Sequence, residues 1–172
     1  DKANAFKQKN NFEKAYGSYI ELIEDDNVEI VYIATPQSTH FEIMKQCIEH
    51  HKPILCEKAF TLNANQAKQI KKLSIENNVF VGEALWPRYM PSRKIIDDVI
   101  ASNIIGTPKI LTGNLSYIIY MNKRIVDLSL GGGALLDVGV YGLNFALMHF
   151  GKDIERIETS VKFTDTGVDG ME

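Results

Sequence analysis

The sequence predicts an α/β protein: part of a doubly wound parallel sheet, then part of an α+β domain with a mainly antiparallel or mixed sheet. Three observations predict it. Short apolar runs alternate with helix-period segments between residues 19 and 83. Turn residues or capping signatures separate those runs. After Trp86-Pro87 the alternation gives way to a helix, a long extended segment and a second, nearly all-apolar helix.

Taken in order, Ala3 to Tyr16 is polar and weakly helical, and Tyr19 to Asp25 is a short helix before the turn residues Asp26-Asn27. VEIVYIA, residues 28–34, is rich in β-branched and aromatic side chains and reads as a strand stopped by Thr35-Pro36. Thr39 with Glu42 is a capping-box signature for the next helix, which carries Phe41, Met44, Cys47 and Ile48. Pro53-Ile54-Leu55-Cys56 is short and wholly apolar, as a buried parallel strand should be. Asn63 and Gln66 cap a helix with Ala67, Ile70 and Leu73 on one face, and Val79-Phe80-Val81 begins a third strand. Right-handed crossovers between such strands give a parallel sheet. Beyond Arg88, Pro91 opens a helix that stops before Gly106-Thr107-Pro108, and Lys109 to Tyr120 reads as extended. Gly131-Gly132-Gly133 then precede an apolar helix to about Phe150, expected to be buried, and Ile154 to Thr164 suggests another strand. The domains are placed at 1–88 and 89–172.

Composition sets limits on function. The chain has 172 residues, 45% hydrophobic and 24% charged, with a net charge of −3. That balance gives no argument for nucleic acid or an anionic membrane as partner. The most apolar stretch, Ala134 to Phe150, is interrupted by Asp137, Tyr141, Asn144 and His149, and no run reaches the ~18 apolar residues of a spanning helix. Cys47 and Cys56 form neither a disulfide framework nor a zinc pattern, which points to a reducing, cytoplasmic setting. No His/Asp/Glu cluster has metal-ligand spacing. The first residues lack a signal-peptide core, and the chain does not open on methionine. It is therefore expected to begin inside a longer product.

Two features point to chemistry. Glu57-Lys58 ends the second strand, and open α/β sheets take ligands outside the carboxyl ends of their strands. By itself the pair also suits a solvated strand end. The apolar helix supplies the second feature. Asp137, Tyr141 and Asn144, spaced by four and three, share one face at ~100° per residue. The stripe is either a satisfied polar network or the lining of a ligand cavity, because a buried aspartate needs partners. A tyrosine one turn from an aspartate can act as general acid or base where a cation favours its ionised form. Lys58 is the candidate cation. Lys123-Arg124 reads either as a substrate contact or as solvent-facing, with solvent the favoured reading. His50-His51 and His149 read as structural residues at helix C-termini.

VEIVYIATPQSTH, ILCEKAFTLNANQA, VGEALWPRYMP and GGGALLDVGVY occur in an order that resembles the Gfo/Idh/MocA oxidoreductase family. EALWPRYMP, together with a tyrosine at position 141, is most similar to its dihydrodiol dehydrogenase and glucose–fructose oxidoreductase branch. The resemblance implies a Rossmann domain for NAD or NADP and a C-terminal domain closing over the substrate. It implies cofactor contacts from Ala34, Thr35, Pro36, His40, Glu57 and Lys58, and more weakly from Trp86 and Arg88. Lys58, Tyr141 and Asp137 become the catalytic set, with Asp137 positioning the substrate. The implied reaction moves a hydride between the nicotinamide and a secondary alcohol of a sugar, polyol or dihydrodiol. Homo-oligomers through the C-terminal sheet are expected.

The sequence departs from the family pattern in two places. Ala59 stands where the Glu-Lys-Pro motif has proline, removing a restraint beside Lys58. No G-x-G-x-x-G opens the chain, so the turn that approaches a pyrophosphate is missing. The glycine cluster at 131–133 lies in the wrong half for it and reads as a flexible helix entry. The chain is expected to lack both ends of the full fold. Alternative readings are a dinucleotide-binding regulator without turnover, a nicotinamide-dependent glycosidase and an interaction domain. Retention of Lys58, Asp137 and Tyr141 together argues against the regulator.

Overall fold

Three parallel strands, β1 (Val31–Ile33), β2 (Ile54–Cys56) and β3 (Val81–Glu83), form a sheet in the order β1-β2-β3. The register places Val31 against Ile54 and Ile54 against Val81. The computed structural model describes residues 2–171. Two helices, α1 (Lys2–Asn10) and α2 (Tyr19–Glu24), precede the sheet. Ser18 caps α2 by accepting the Glu21 N–H at 3.3 Å. The connection from β1 to β2 is α3 (Gln37–Glu49), and that from β2 to β3 is α4 (Ala64–Glu76). This is the strand–helix–strand alternation expected from the sequence.

Helical periodicity fixes which face α3 buries. Gln37, His40, Met44 and Cys47, with Ile43 and Ile48, are buried at spacings of three and four. His40, Ile43, Met44, Cys47 and Ile48 share a core with Ile23, Ile33, Ile54, Cys56 and Ile70. Burial pushes the Cys47 thiol up to about 11 and the Cys56 thiol to about 12, so both stay protonated. Asn63 caps α4 as expected, its Oδ1 accepting the Gln66 N–H at 3.0 Å. The Thr39–Glu42 capping box does not form. The helix starts two residues earlier, at Gln37, and Thr39 Oγ1 donates to Thr35 Oγ1 at 2.7 Å.

Beyond β3 comes a 3₁₀ turn, Trp86–Tyr89, and then α5 (Pro91–Ala101) with proline in its first turn. A four-residue helix, α6 (Lys123–Val126), and a 3₁₀ turn, Leu128–Leu130, lead into a π-helical turn, Leu135–Gly139, and α7 (Val140–Phe150). A short antiparallel pair, β4 (Lys162–Phe163) and β5 (Asp169–Met171), follows.

Four expectations fail in this half. Residues 109–119 form no strand among the described residues, and the strand expected over Ile154–Thr164 shrinks to β4. A strand is defined by a ladder partner, which alternation in the sequence cannot supply. The helix after the glycines is also less buried than its composition suggests: Leu143 is 57% and Phe150 46% exposed. Finally, Leu128–Phe150 is by length and composition apolar enough to cross a bilayer, with a mean hydropathy of 1.3. It is not one continuous helix, because the chain turns at Gly131 (φ 75°) and carries the buried, ion-paired Asp137.

The chain divides into two compact units. One contains the chain up to Thr35, Thr39–Glu57 and Asn63–Glu83. The other contains Pro36–Ser38, Lys58–Leu62 and the chain from Ala84 onward.

Candidate active site

The second unit gathers a charged cluster around Asp137, which is 7% exposed. Lys58, in the segment after β2, donates from Nζ to the Asp137 backbone carbonyl at 2.5 Å and to Oδ1 at 3.2 Å. Arg124 Nη2 donates to the same Oδ1 at 3.1 Å. Two cations on one carboxylate answer the cost of burying it. Asp137 sits in the π-helical turn, a feature frequent at functional sites. The Lys58–Ala59 peptide is cis, and Ala59 is buried.

Tyr141 lies in the first turn of α7. Lys58 Nζ stands 5.1 Å from its ring centroid, a cation–π distance. Trp86 Nε1 donates to the Tyr141 hydroxyl at 3.3 Å, and the two rings are 6.0 Å apart. Asn144, the third member of the stripe, is buried and accepts from Arg88 Nε at 2.6 Å. Lys58, Asp137 and Tyr141 line a cleft of about 550 Å³, and Trp86, Leu115, Ile119, Val138 and Phe145 supply much of its apolar wall. Asp137 and Tyr141 face the cavity, while Asn144 is only half satisfied: its Oδ1 accepts from Arg88, and its buried Nδ2 has no partner among the described residues.

Glycines shape the entry to this helix, and flexibility is not their role. A Cβ on Gly132 would stand 2.8 Å from the Ile125 carbonyl carbon and 2.9 Å from the Arg124 oxygen. Gly133, at φ 126°, donates its N–H to the Ile125 carbonyl at 2.9 Å. A Cβ there would come within 2.8 Å of the Asp169 carboxyl carbon. That carboxylate accepts the Leu135 N–H at 2.5 Å, at the start of the helix. The glycines thus admit close backbone contact between α6 and the Asp137 helix.

The structure therefore brings together Lys58, Asp137, Tyr141, Trp86, Arg88 and Asn144, all in the second unit, which also holds Pro36. Ala34, Thr35, His40 and Glu57 belong to the first unit. Among these, exposed Ala34 and half-buried Thr35 follow β1, and half-buried Glu57 follows β2. Fully buried His40 holds the Thr35 carbonyl at 2.9 Å from Nε2, fixing the loop rather than facing outward. Glu57 accepts a short hydrogen bond from Tyr32, which pushes the Tyr32 phenol up. The carboxyl ends of parallel strands are where open α/β sheets take their ligands. No G-x-G-x-x-G is present to take the pyrophosphate. Among the described residues, no group of three His, Cys, Asp or Glu side chains could hold a metal.

Arg124 is the residue that sequence reasoning placed wrongly. Its side chain turns to Asp137 rather than to solvent, and its Nη1 reaches Gln37 Oε1 at 3.4 Å. Asn122, which caps α6, and the neighbouring buried Ile125 were the available signals.

A parallel three-strand sheet with helical crossovers, followed by a helix bearing a lysine-paired aspartate, defines a Rossmann-type α/β protein with a polar site. Comparison with known proteins gives the same class. Residues 1–84 match the description "Oxidoreductase family, NAD-binding Rossmann fold", and residues 94–171 match "GFO/IDH/MocA C-terminal domain". The chain belongs to the Gfo/Idh/MocA oxidoreductase family. It is 36% identical over 170 residues to a trans-1,2-dihydrobenzene-1,2-diol dehydrogenase of Xenopus tropicalis, covering 98% of this chain and 52% of that one. The chain thus spans about half the length of the curated relatives it matches. A probable dehydrogenase from Thermotoga maritima has a similar fold, with a TM-score of 0.74 and 25% identity over 90% of this chain and 46% of its own. A point mutant of a 3-ketoreductase from Actinomadura kijaniata, solved in complex with TDP-benzene and NADP, shares the fold at a TM-score of 0.81. Its identity is 24%, and the match covers 98% of this chain and 52% of that one.

Proposed function

We propose that this chain carries the proton-handling site of an NAD(P)-dependent dehydrogenase acting on a secondary alcohol. One observation carries the reading: Lys58 Nζ binds Asp137 and lies 5.1 Å from the Tyr141 ring centroid, beside an apolar-walled cleft. The dehydrogenases among its relatives support a diol substrate, with sugars and polyols offering the same group. Ala34, Thr35, Pro36, His40, Glu57, Trp86 and Arg88 are assigned to cofactor binding, His40 by bracing the Thr35 loop. The domain division at residue 88 and assembly through the C-terminal sheet belong to the same proposal.

The hydride acceptor in oxidation is the nicotinamide of a bound dinucleotide. Tyr141 takes the hydroxyl proton, directly or with Lys58. Lys58 places positive charge where oxygen charge develops, an electrostatic role. Asp137 accepts a hydrogen bond from a substrate hydroxyl and orients it.

The test uses the full-length protein with NAD⁺ or NADP⁺ and trans-1,2-dihydrobenzene-1,2-diol. Lys58→Ala and Tyr141→Phe should each lower kcat by about 10²–10⁴-fold, as for loss of a proton-transfer group. Cofactor affinity, read by titration, should stay close to that of the parent. Near-parental turnover in either variant would remove that residue from the mechanism.

A further inference from the structure

The chemistry proposed above leaves one cation of the cluster without a task. Arg124 reaches Asp137 Oδ1 at 3.1 Å, and Lys58 reaches the same oxygen at 3.2 Å. Among the described residues, the bonds of both cations to the Asp137 carboxylate go to Oδ1. The other arm of the guanidinium lies 3.4 Å from Oε1 of Gln37, which is 3% exposed. The Arg124 backbone is fixed as well. Its N–H bonds Asn122 Oδ1 at 3.1 Å, and its carbonyl packs where Gly132 has no Cβ. Such close backbone contact is a costly way to place a side chain meant for solvent.

We propose that Arg124 is a positioning residue for Asp137: with Lys58 it occupies Oδ1 and leaves Oδ2 as the acceptor for the substrate hydroxyl. This inference rests on the dehydrogenase reading above. The terminal torsion of an aspartate is broad and nearly two-fold, so one cation fixes it poorly. Two cations arriving from different elements fix it well. Arg124 also takes part of the carboxylate's negative charge. Lys58 is then not fully neutralised by Asp137 and keeps positive charge for the oxygen at the reacting carbon. Arginine suits the task because its planar fork spans Asp137 and Gln37 together, which an ammonium cannot do.

The experiment is a double-variant cycle in the full-length protein, with the same diol and cofactor. Arg124→Met should lower kcat by about 10²-fold, the scale of a misplaced reacting group, while KM changes far less. In an Asp137→Asn background the same substitution should cost almost nothing, because its effect passes through that carboxylate. Arg124→Lys should fall between the parent and Arg124→Met. Millimolar guanidinium should restore part of the turnover of Arg124→Ala. Trp86, the only tryptophan, stands beside Tyr141, so its fluorescence reports diol binding without turnover. That binding should persist in Arg124→Met. Full additivity of the two substitutions, or parental kcat in Arg124→Met, overturns the assignment. If Arg124→Met fails to fold, the same cycle is read with Arg124→Lys, where additivity again overturns it. If Lys58→Ala and Asp137→Asn lower turnover sharply while Arg124→Met keeps parental kcat, only the Arg124 role falls. If Lys58→Ala keeps parental turnover, the dehydrogenase reading falls first.

Discussion

The two units of this chain hold their shape by different means. In the first, the large fully buried side chains are apolar or thiol: Ile23, Met44, Ile48, Ile54, Ile70, Cys47 and Cys56, with His40 the polar exception. In the second, buried apolar residues are few and smaller in effect, chiefly Leu85, Ile125 and Val168. Order there comes from named polar contacts: Asp137 with Lys58 and Arg124, Asn144 with Arg88, and Asp169 with the Leu135 N–H. Apolar burial is additive and tolerant of small shifts. Hydrogen-bonded ion clusters depend on direction and fail when one member moves. Damage to the first unit should therefore appear as lost stability, and damage to the second as lost geometry at the site.

Ile54→Ala is the most severe way to break this contrast. Ile54 is fully buried in the central strand, and its loss removes apolar contacts and leaves a cavity. The expected cost is about 2–5 kcal/mol, measured by urea unfolding of the full-length protein. Under conditions where the variant remains folded, kcat should match the parent. A change in kcat without a change in stability would erase the distinction between the units.

Gly132→Ala tests the second unit with a single methyl group. The carbon would press on the Ile125 and Arg124 carbonyls, so α6 and the Asp137 helix must separate. Overpacking of this kind costs about 1–3 kcal/mol. Turnover should fall by more than that stability loss explains, because Arg124 and Asp137 move apart. Parental kcat with reduced stability would make the glycine a packing residue only.

The same contrast governs what the sequence could reveal. The first unit was legible because apolar runs, an Asn63 cap and 3.6-residue spacing each follow from local rules. The misplaced helix start at Thr39 shows the limit: Thr35 offered that hydroxyl another partner four residues back. In the second unit, Asp137 and Tyr141 were legible because a polar stripe on an apolar helix needs a reason. Arg124 was not, since a Lys-Arg pair looks the same whether it meets water or a carboxylate 13 residues later. Glycines 131–133 were misread because a close approach and a flexible turn share one composition. Residues 109–120 read as extended, but pairing is a property of two segments, and residues 109–119 join no ladder among the described residues.

The smallest expected effect lies at the margin of the first unit and has a sign that pH can test. Asp25 accepts from Lys14 Nζ at 2.5 Å, the Asn27 N–H at 2.8 Å and the Tyr16 hydroxyl at 2.7 Å. Lys14, and then these other donors, hold its carboxyl well below the usual carboxylate range, while Asp25 pushes the Lys14 ammonium and the Tyr16 phenol up. A depressed carboxyl stabilises the fold above its unfolded value of about 3.9, and the gain disappears as pH falls toward the folded value. A raised ammonium and a raised phenol stabilise below their unfolded values of about 10, and that gain disappears as pH rises through the folded ones. The difference in Tm between the parent and Asp25→Asn should therefore be flat from about pH 5 to 9 and shrink on both sides. It should also shrink with added salt, as exposed pairs do. A difference that persists unchanged at pH 3 would mean that Asn27 and Tyr16 hold the turn by geometry alone, without the carboxylate charge.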